Sequence, residues 1–376
     1  MRTPPFESRS DDDAETGRGV RRRTFLRSSL AMGVAGALAG QAGTAAAQSG
    51  AASTSPAAPS SAGPAANAKG LLGHRVYGAG KEVILVLHEW MGTQSNYDFV
   101  LPFLDQDSFT YVFADLRGYG LSRALLTHAD GTPNSYTAAE IHADVMALMA
   151  GLGVKRFHLL GHSMTGLIAQ YIALKEYKGP GVESPIKSIL CVTPVRSKGW
   201  KGPRAGLDLS VTDDAEMRKA IRARVAGKNG KENAVKYSET WVTWKLERTR
   251  RECPTGPMKG YLDMFCNTDI EAELNAAKPR IPVLLFVGTD DVGYYQHDDI
   301  IGAFTTPFGQ PGTPGSTLTV ADDGVFLMSD RRPDGTALPK PEIVSWKGVF
   351  NTGHYPMLAA PALFIAKIEE FVKAHA

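Results

Sequence analysis

The sequence predicts an α/β fold: a mainly parallel central sheet flanked by helices, with an inserted helical cap. Two observations carry this. Short continuous apolar runs, rich in β-branched residues, alternate with segments of helical spacing, the pattern of a parallel sheet buried on both faces. Between residues 196 and 280 that alternation stops, and only helical patterns occur.

The elements follow in order. Val83-Ile84-Leu85-Val86-Leu87 reads as the first long strand and Phe109 to Ala114 as the second. Residues 137–151 place Ile141, Val145, Leu148 and Met149 on one helical face. Phe157-His158-Leu159-Leu160 is a third strand, followed by a Gly-rich turn and an apolar helix from Thr165 to Lys175. Ser188 to Val192 is a fourth strand, Ile281 to Val287 a fifth and Glu342 to Lys347 a sixth. A last amphipathic helix covers 361–374, with Phe364, Ile368 and Phe371 on one face. The expected organisation is a core in two parts, 71–195 and 281–376, split by a cap at 196–280. Residues 292–341, rich in Gly, Pro, Asp and Thr, read as a long loop, a feature that is often functional.

The N-terminal stretch stands outside this fold. Arg22-Arg23-Thr24-Phe25-Leu26-Arg27 has the form of a twin-arginine export signal. An Ala/Gly-rich segment from Ser28 follows and ends in Ala45-Ala46-Ala47, small residues of the kind a signal peptidase accepts. Residues 1–47 are therefore expected to be a signal peptide read by the twin-arginine export machinery. The mature protein is expected to be periplasmic or secreted from a bacterium. The segment is poor in Leu, Ile and Phe, so no stable membrane span is expected after cleavage. Residues 48–70, mostly Ala, Ser, Pro and Gly, carry too little apolar surface to order themselves and are expected to be a disordered linker.

A net charge of +2 on 376 residues gives no whole-chain case for nucleic acid or an anionic membrane as partner. The cap is more basic, with about eighteen Lys and Arg against about twelve Asp and Glu, which reads first as a solvated helical face. Of the three cysteines, Cys191 lies in an apolar strand and reads as core. Cys253 and Cys266 lie close in sequence, and export makes a disulfide between them one of two open readings. Asp290, Asp291, His297, Asp298 and Asp299 cluster in sequence, but without a recognised calcium-loop spacing. No metal and no cofactor is expected.

The strongest chemical signal is a strand, then Gly161-His162-Ser163-Met164-Thr165-Gly166, then a helix. A serine on such a turn is held with its oxygen exposed, near the positive end of the helix. Three further motifs stand with it. Asp115-Leu116-Arg117-Gly118-Tyr119-Gly120-Leu121-Ser122 follows an early strand, Gly288-Thr289-Asp290-Asp291 follows a late one, and Gly353-His354-Tyr355-Pro356-Met357 precedes the last helix. Together these resemble the α/β-hydrolase superfamily, in its esterase and haloperoxidase-like branch, from about Gly73 to the C-terminus. His88-Glu89-Trp90-Met91-Gly92 is similar to the corresponding loop of dienelactone hydrolases.

The resemblance implies a Ser-His-Asp triad. Ser163 would be the nucleophile, His354 its general base and Asp291 the carboxylate that orients the imidazole, with Asp290 as the neighbouring alternative. It implies an oxyanion hole from the backbone N–H groups of Trp90 and Met164. His88, Glu89 and His162 are candidate substrate-binding residues; for Glu89, pointing away or being paired stay open, with Arg117 as a candidate partner against a favoured structural role for Arg117 in its own turn. Thr165 stands where the family's second elbow glycine normally stands and is expected to crowd the strand–helix crossing. The implied activity is hydrolysis of a small carboxylic ester or lactone through an acyl-enzyme. Amidase, C–C hydrolase and perhydrolase activity use the same triad, and a non-catalytic ligand-binding protein on this fold is the rival of another class. Trp200, Tyr237, Trp241, Trp244 and Tyr261 are candidates for an aromatic pocket, against a packing role for at least half of them.

Overall fold

Five apolar runs become the parallel heart of one sheet: β2 (Glu82–Leu87), β3 (Phe109–Ala114), β4 (Phe157–His162), β5 (Ile186–Val192) and β6 (Val283–Phe286). The structure is a computed structural model and describes residues 70–226, 238–288, 291, 297–321, 326–331, 337–345 and 353–376. The expectations for residues 1–69, for Asp290 and for Tyr237 lie outside the described residues. Among the described residues the sheet has seven strands in the order β1-β3-β2-β4-β5-β6-β7, with β1 (His74–Tyr77) antiparallel at one edge and β7 (Leu318–Val320) parallel at the other.

The strands are apolar throughout because both faces are covered. On one face Leu85, Leu87, Val112 and Leu159 pack with Val145 and Leu148 of α1 (Ala138–Gly151) and with Leu167 and Ile168 of α2 (Met164–Glu176). On the other, Ile84, Val86, Tyr111 and Leu160 pack with Phe364 and Ile368 of the last helix, Pro361–Ala374. Helix α1 begins where Thr137 accepts a hydrogen bond from the Glu140 N–H, and the Glu140 carboxylate reaches back to the N–H of Ser135.

Four helices, α3 (Ala205–Thr212), α4 (Asp214–Ala226), α5 (Glu239–Glu252) and α6 (Thr255–Asn267), lie in sequence between β5 and β6. They are followed by α7 (Glu271–Ala277), which packs against α2 and α8 (His297–Phe308). A single turn, α9 (Pro356–Ala359), precedes the last helix, α10 (Pro361–Ala374). Among the described residues no helix is long and apolar enough to cross a membrane.

Two expectations need correction. The strand expected at 342–347 as a sixth member of the sheet is part of β9 (Ala337–Ser345), which pairs antiparallel with β8 (Phe326–Arg331) in a separate two-stranded sheet. The place beside β6 is taken by β7, only three residues long and too short to show a period. Residues 292–341 are accordingly not one irregular loop, since they hold α8, β7, β8 and the start of β9. Helix α8 buries Ile300, Phe304 and Phe308, one residue per turn.

Of the two readings open for the cysteine pair, the structure has the reduced one. Cys191, Cys253 and Cys266 are buried free thiols. Cys253 precedes α6 and Cys266 lies in its last turn, so the helix itself holds them roughly 20 Å apart at 1.5 Å per residue. A disulfide requires Cα atoms within about 7 Å. Alkylation of the protein unfolded without reductant should therefore modify all three thiols. Modification of Cys191 alone would contradict this placement.

Candidate active site

The parallel strands all end at the same edge of the sheet, where ligand sites of such folds lie. Leu87 is in register with Gly161, and Gly161 with Cys191, so the segments after β2, β4 and β5 emerge side by side.

Ser163 is the residue between β4 and α2. Its φ of 56° lies in the left-handed region that non-glycine residues rarely enter. Its N–H donates to the Val192 carbonyl at 2.8 Å, which fixes the turn to β5. The sharp turn needs two glycines. A Cβ on Gly161 would come 2.1 Å from the Thr165 carbonyl oxygen, and one on Gly166 would come 2.5 Å from the Pro194 Cβ. Thr165 does not crowd the crossing as expected, because the close approach falls at Gly166, one place later. The buried Thr165 hydroxyl instead accepts from the His162 N–H at 2.8 Å. Its oxygen lies 3.1 Å from the Leu87 carbonyl and 3.0 Å from that of His88, so it ties the ends of β2 and β4 together. Met164 is the first residue of α2, where backbone N–H groups have no partner inside the helix.

His354 is fully buried just before α9, and its Nδ1 lies 2.8 Å from Oδ2 of the buried Asp291. The His354 carbonyl accepts from Nε2–H of His162 at 2.8 Å and from the Thr193 hydroxyl at 3.2 Å. Its N–H donates to the Arg224 carbonyl of α4 at 3.2 Å. The His354 ring centroid lies 5.2 Å from that of His162, the residue preceding Ser163. The structure thus brings together Asp291, His354 and the serine turn, residues far apart along the chain. Burial pushes the His354 imidazole below its usual range, and the Asp291 carboxylate only partly opposes this.

The loop after β2 runs alongside. The His88 ring accepts the Leu116 N–H on Nε2 at 3.1 Å, so Nδ1 carries the proton and donates to the Glu89 carbonyl at 2.8 Å. The Tyr119 hydroxyl donates to the Trp90 carbonyl at 2.9 Å, and the Trp90 indole N–H to the Met258 carbonyl of α6 at 2.7 Å.

With this geometry in place, the comparison with known families is decisive. A model described as the alpha/beta hydrolase fold matches residues 82–291, more than half of the chain. The chain belongs to the alpha/beta hydrolase fold family. An N-formylmaleamate deformylase of Pseudomonas putida is 29% identical over 230 residues, 60% of this chain and 77% of that protein. A human serine hydrolase-like protein is 35% identical over 85 residues, but the match spans only 39% of its length and 23% of this chain. A fluoroacetate dehalogenase of Burkholderia is 35% identical over 99 residues, 26% of this chain and 32% of its own. An esterase from Exiguobacterium antarcticum shares the fold with a TM-score of 0.56 at 16% identity, covering 80% of this chain and 96% of that one.

In this alpha/beta hydrolase the expected substrate contacts, His88, Glu89 and His162, lie in the same polar cluster. All three are buried and engaged by other protein groups. Glu89 is only 2% exposed, and its Oε1 accepts from Asn96 and lies 3.3 Å from Nζ of Lys245. Its Oε2 lies 3.5 Å from Nδ1 of His162. Burial alone would raise the Glu89 carboxyl, but Lys245 and then His162 hold it well below the usual carboxylate range. Arg117, the candidate partner for Glu89, instead grips Asp144 with two bonds of 2.6 Å. Among the aromatic candidates, Tyr261 is buried with its hydroxyl on the Arg117 carbonyl, and Trp200 packs against the core. Trp244 is 38% exposed, with Arg248 over its ring.

Sequence reasoning missed Lys245. Its signal was present, since it falls three residues after Val242 and four before Thr249 on the buried face of α5. It also missed the role of the Thr165 hydroxyl. Thr165→Val keeps the shape but strands the buried His162 N–H, so urea unfolding should show a loss of about 1–3 kcal/mol. A loss below about 0.5 kcal/mol would mean that the hydroxyl is not the tie between β2 and β4.

Proposed function

We propose that this chain is a serine hydrolase that cleaves a carboxylic ester or lactone through a covalent acyl-enzyme. The observation that carries the proposal is the buried 2.8 Å contact between His354 and Asp291, set beside a serine held at a φ of 56° on the strand–helix turn. In this reading Ser163 Oγ attacks the carbonyl while Nε2 of His354 takes its proton, since a neutral hydroxyl is a poor nucleophile. Asp291 accepts from Nδ1–H, fixes the tautomer and stabilises the imidazolium. The N–H groups of Met164 and Trp90 receive the developing oxyanion. The same histidine then returns its proton to the leaving alcohol, and water repeats the cycle on the acyl-enzyme.

Serine rather than aspartate at position 163 argues against carbon–halogen or epoxide cleavage, although a dehalogenase is among the relatives. Amide cleavage is the second reading, favoured by the relative named a deformylase. A panel of short esters, aryl esters, lactones and amides separates the two by kcat/KM. A fluorophosphonate probe should label the wild-type protein at Ser163 and leave Ser163→Ala unlabelled. Absence of labelling in the wild type would favour a non-catalytic binding protein on this fold.

Export completes the proposal. Arg22-Arg23-Thr24-Phe25-Leu26-Arg27 and Ala45-Ala46-Ala47 support passage through the twin-arginine machinery and cleavage after Ala47.

Two kinetic outcomes follow from the site. The base works only when neutral, and burial lowers its pKa, so activity is lost as pH falls through that lowered value. A plot of kcat/KM against pH should rise to a plateau with a midpoint below about 6.5. A midpoint above neutrality would contradict a buried, net-depressed imidazole. Asp291→Asn should lower kcat by roughly a thousandfold or more, because the amide presents the wrong partner to Nδ1–H. A loss under about tenfold would remove Asp291 from the triad.

A further inference from the structure

The loop that carries Trp90 is held at four consecutive carbonyls. His88 donates to that of Glu89 at 2.8 Å and Tyr119 to that of Trp90 at 2.9 Å. Lys245 Nζ and the Thr249 hydroxyl both donate to that of Met91, at 3.0 and 2.9 Å. The Cys253 thiol points at that of Gly92 at 3.6 Å. In a trans peptide the N–H points opposite to the C=O. The Trp90 N–H shares its peptide with the Glu89 carbonyl, so the His88 bond sets its direction, while the bonds at Trp90, Met91 and Gly92 hold the chain that follows it.

The last three holders, Lys245, Thr249 and Cys253, succeed one another four residues apart, so one stripe of α5 and its C-terminal cap runs along the loop. Lys245 does most in this stripe. Its ammonium is buried, and its three N–H donors meet three acceptors: Met91 O at 3.0 Å, Asn96 Oδ1 at 2.9 Å and Glu89 Oε1 at 3.3 Å. Glu89 then continues the contact to His162, and His162 holds the carbonyl of His354. A buried ammonium is costly unless it is fully matched, and hydrophobic residues would close this helix–loop contact more cheaply. An ion pair that grips the oxyanion loop and leads on to the histidine loop does something apolar packing cannot, which is to set directions.

We infer that Lys245 is a positioning residue, through which α5 aims the oxyanion loop and braces the general base. The inference rests on the serine-hydrolase reading of Ser163 and His354. It makes α5 a built-in wall of the catalytic site: a lid that swung α5 away would break the contacts at Met91 and at Glu89.

The test compares wild type, Lys245→Met, Glu89→Gln and the double variant Lys245→Met/Glu89→Gln. Initial rates on an aryl ester are normalised to the fraction of protein that a fluorophosphonate labels to completion. Inhibition by an arylboronic acid, which forms a tetrahedral adduct with an oxyanion, is measured alongside. The expected result for Lys245→Met is a fall in kcat of about 100-fold with KM changed less than about threefold. Boronate affinity should fall in parallel with kcat. The double variant leaves no unpaired buried charge and tests the same point if the single variant does not fold. It too should fold and be slow. Folded variants with wild-type kcat and boronate affinity would overturn the role of Lys245 while leaving the hydrolase reading intact. A wild-type protein that neither turns over esters nor takes the label would overturn both.

Discussion

Everything at this site depends on how closely helix α2 crosses strand β4. A sharp turn from strand to helix leaves room for no side chain at 161 and none at 166, because the backbone carbonyl of Thr165 and the ring of Pro194 fill those places. The same crowding forces Ser163 into a left-handed backbone conformation at the first turn of α2. Strain of this kind persists only where the surroundings over-determine it. Here those surroundings are the Ser163 N–H bond to β5 and the Thr165 hydroxyl bridging the ends of β2 and β4. The turn is thus fixed from both neighbouring strands before any catalytic group is considered.

The cluster around Glu89 and His162 is unusually polar for a buried place. His88, Glu89, His162, Lys245 and Asn96 are nearly inaccessible to solvent, yet each finds a partner among the others or on the backbone. Such a network specifies directions more than it stabilises, since apolar packing could replace it at little cost in stability. Its members contact the carbonyls of the loop after β2 and of His354. That makes it the physical link between the core strands and the helices inserted after β5.

Much of this was legible in the sequence. Strands β2 to β6 announce themselves as apolar, β-branched runs because both faces of the sheet are covered. Ser163, Asp291 and His354 stand in short motifs at the ends of such runs, so the topology brings them to one edge. What sequence could not give was partnership across the fold. Arg117 was one candidate partner for Glu89, behind a structural role for Arg117, and the cation that reaches Glu89 is Lys245, more than 150 residues away and on a cap helix. Arg117 is drawn instead to Asp144 on α1. Strand β7 was hidden by its length of three residues. Helix α8 was hidden by the Pro, Gly and Thr around Ile300, Phe304 and Phe308.

The most direct measurement is a crystal structure of the protein soaked with an arylboronic acid. The expected electron density shows boron bonded to Ser163 Oγ. One boronate oxygen should lie within hydrogen-bond distance of the N–H groups of Trp90 and Met164, and another beside Nε2 of His354. Boron bound elsewhere, or an adduct on Ser163 whose oxygens all face away from those groups, would contradict a serine hydrolase built on this turn.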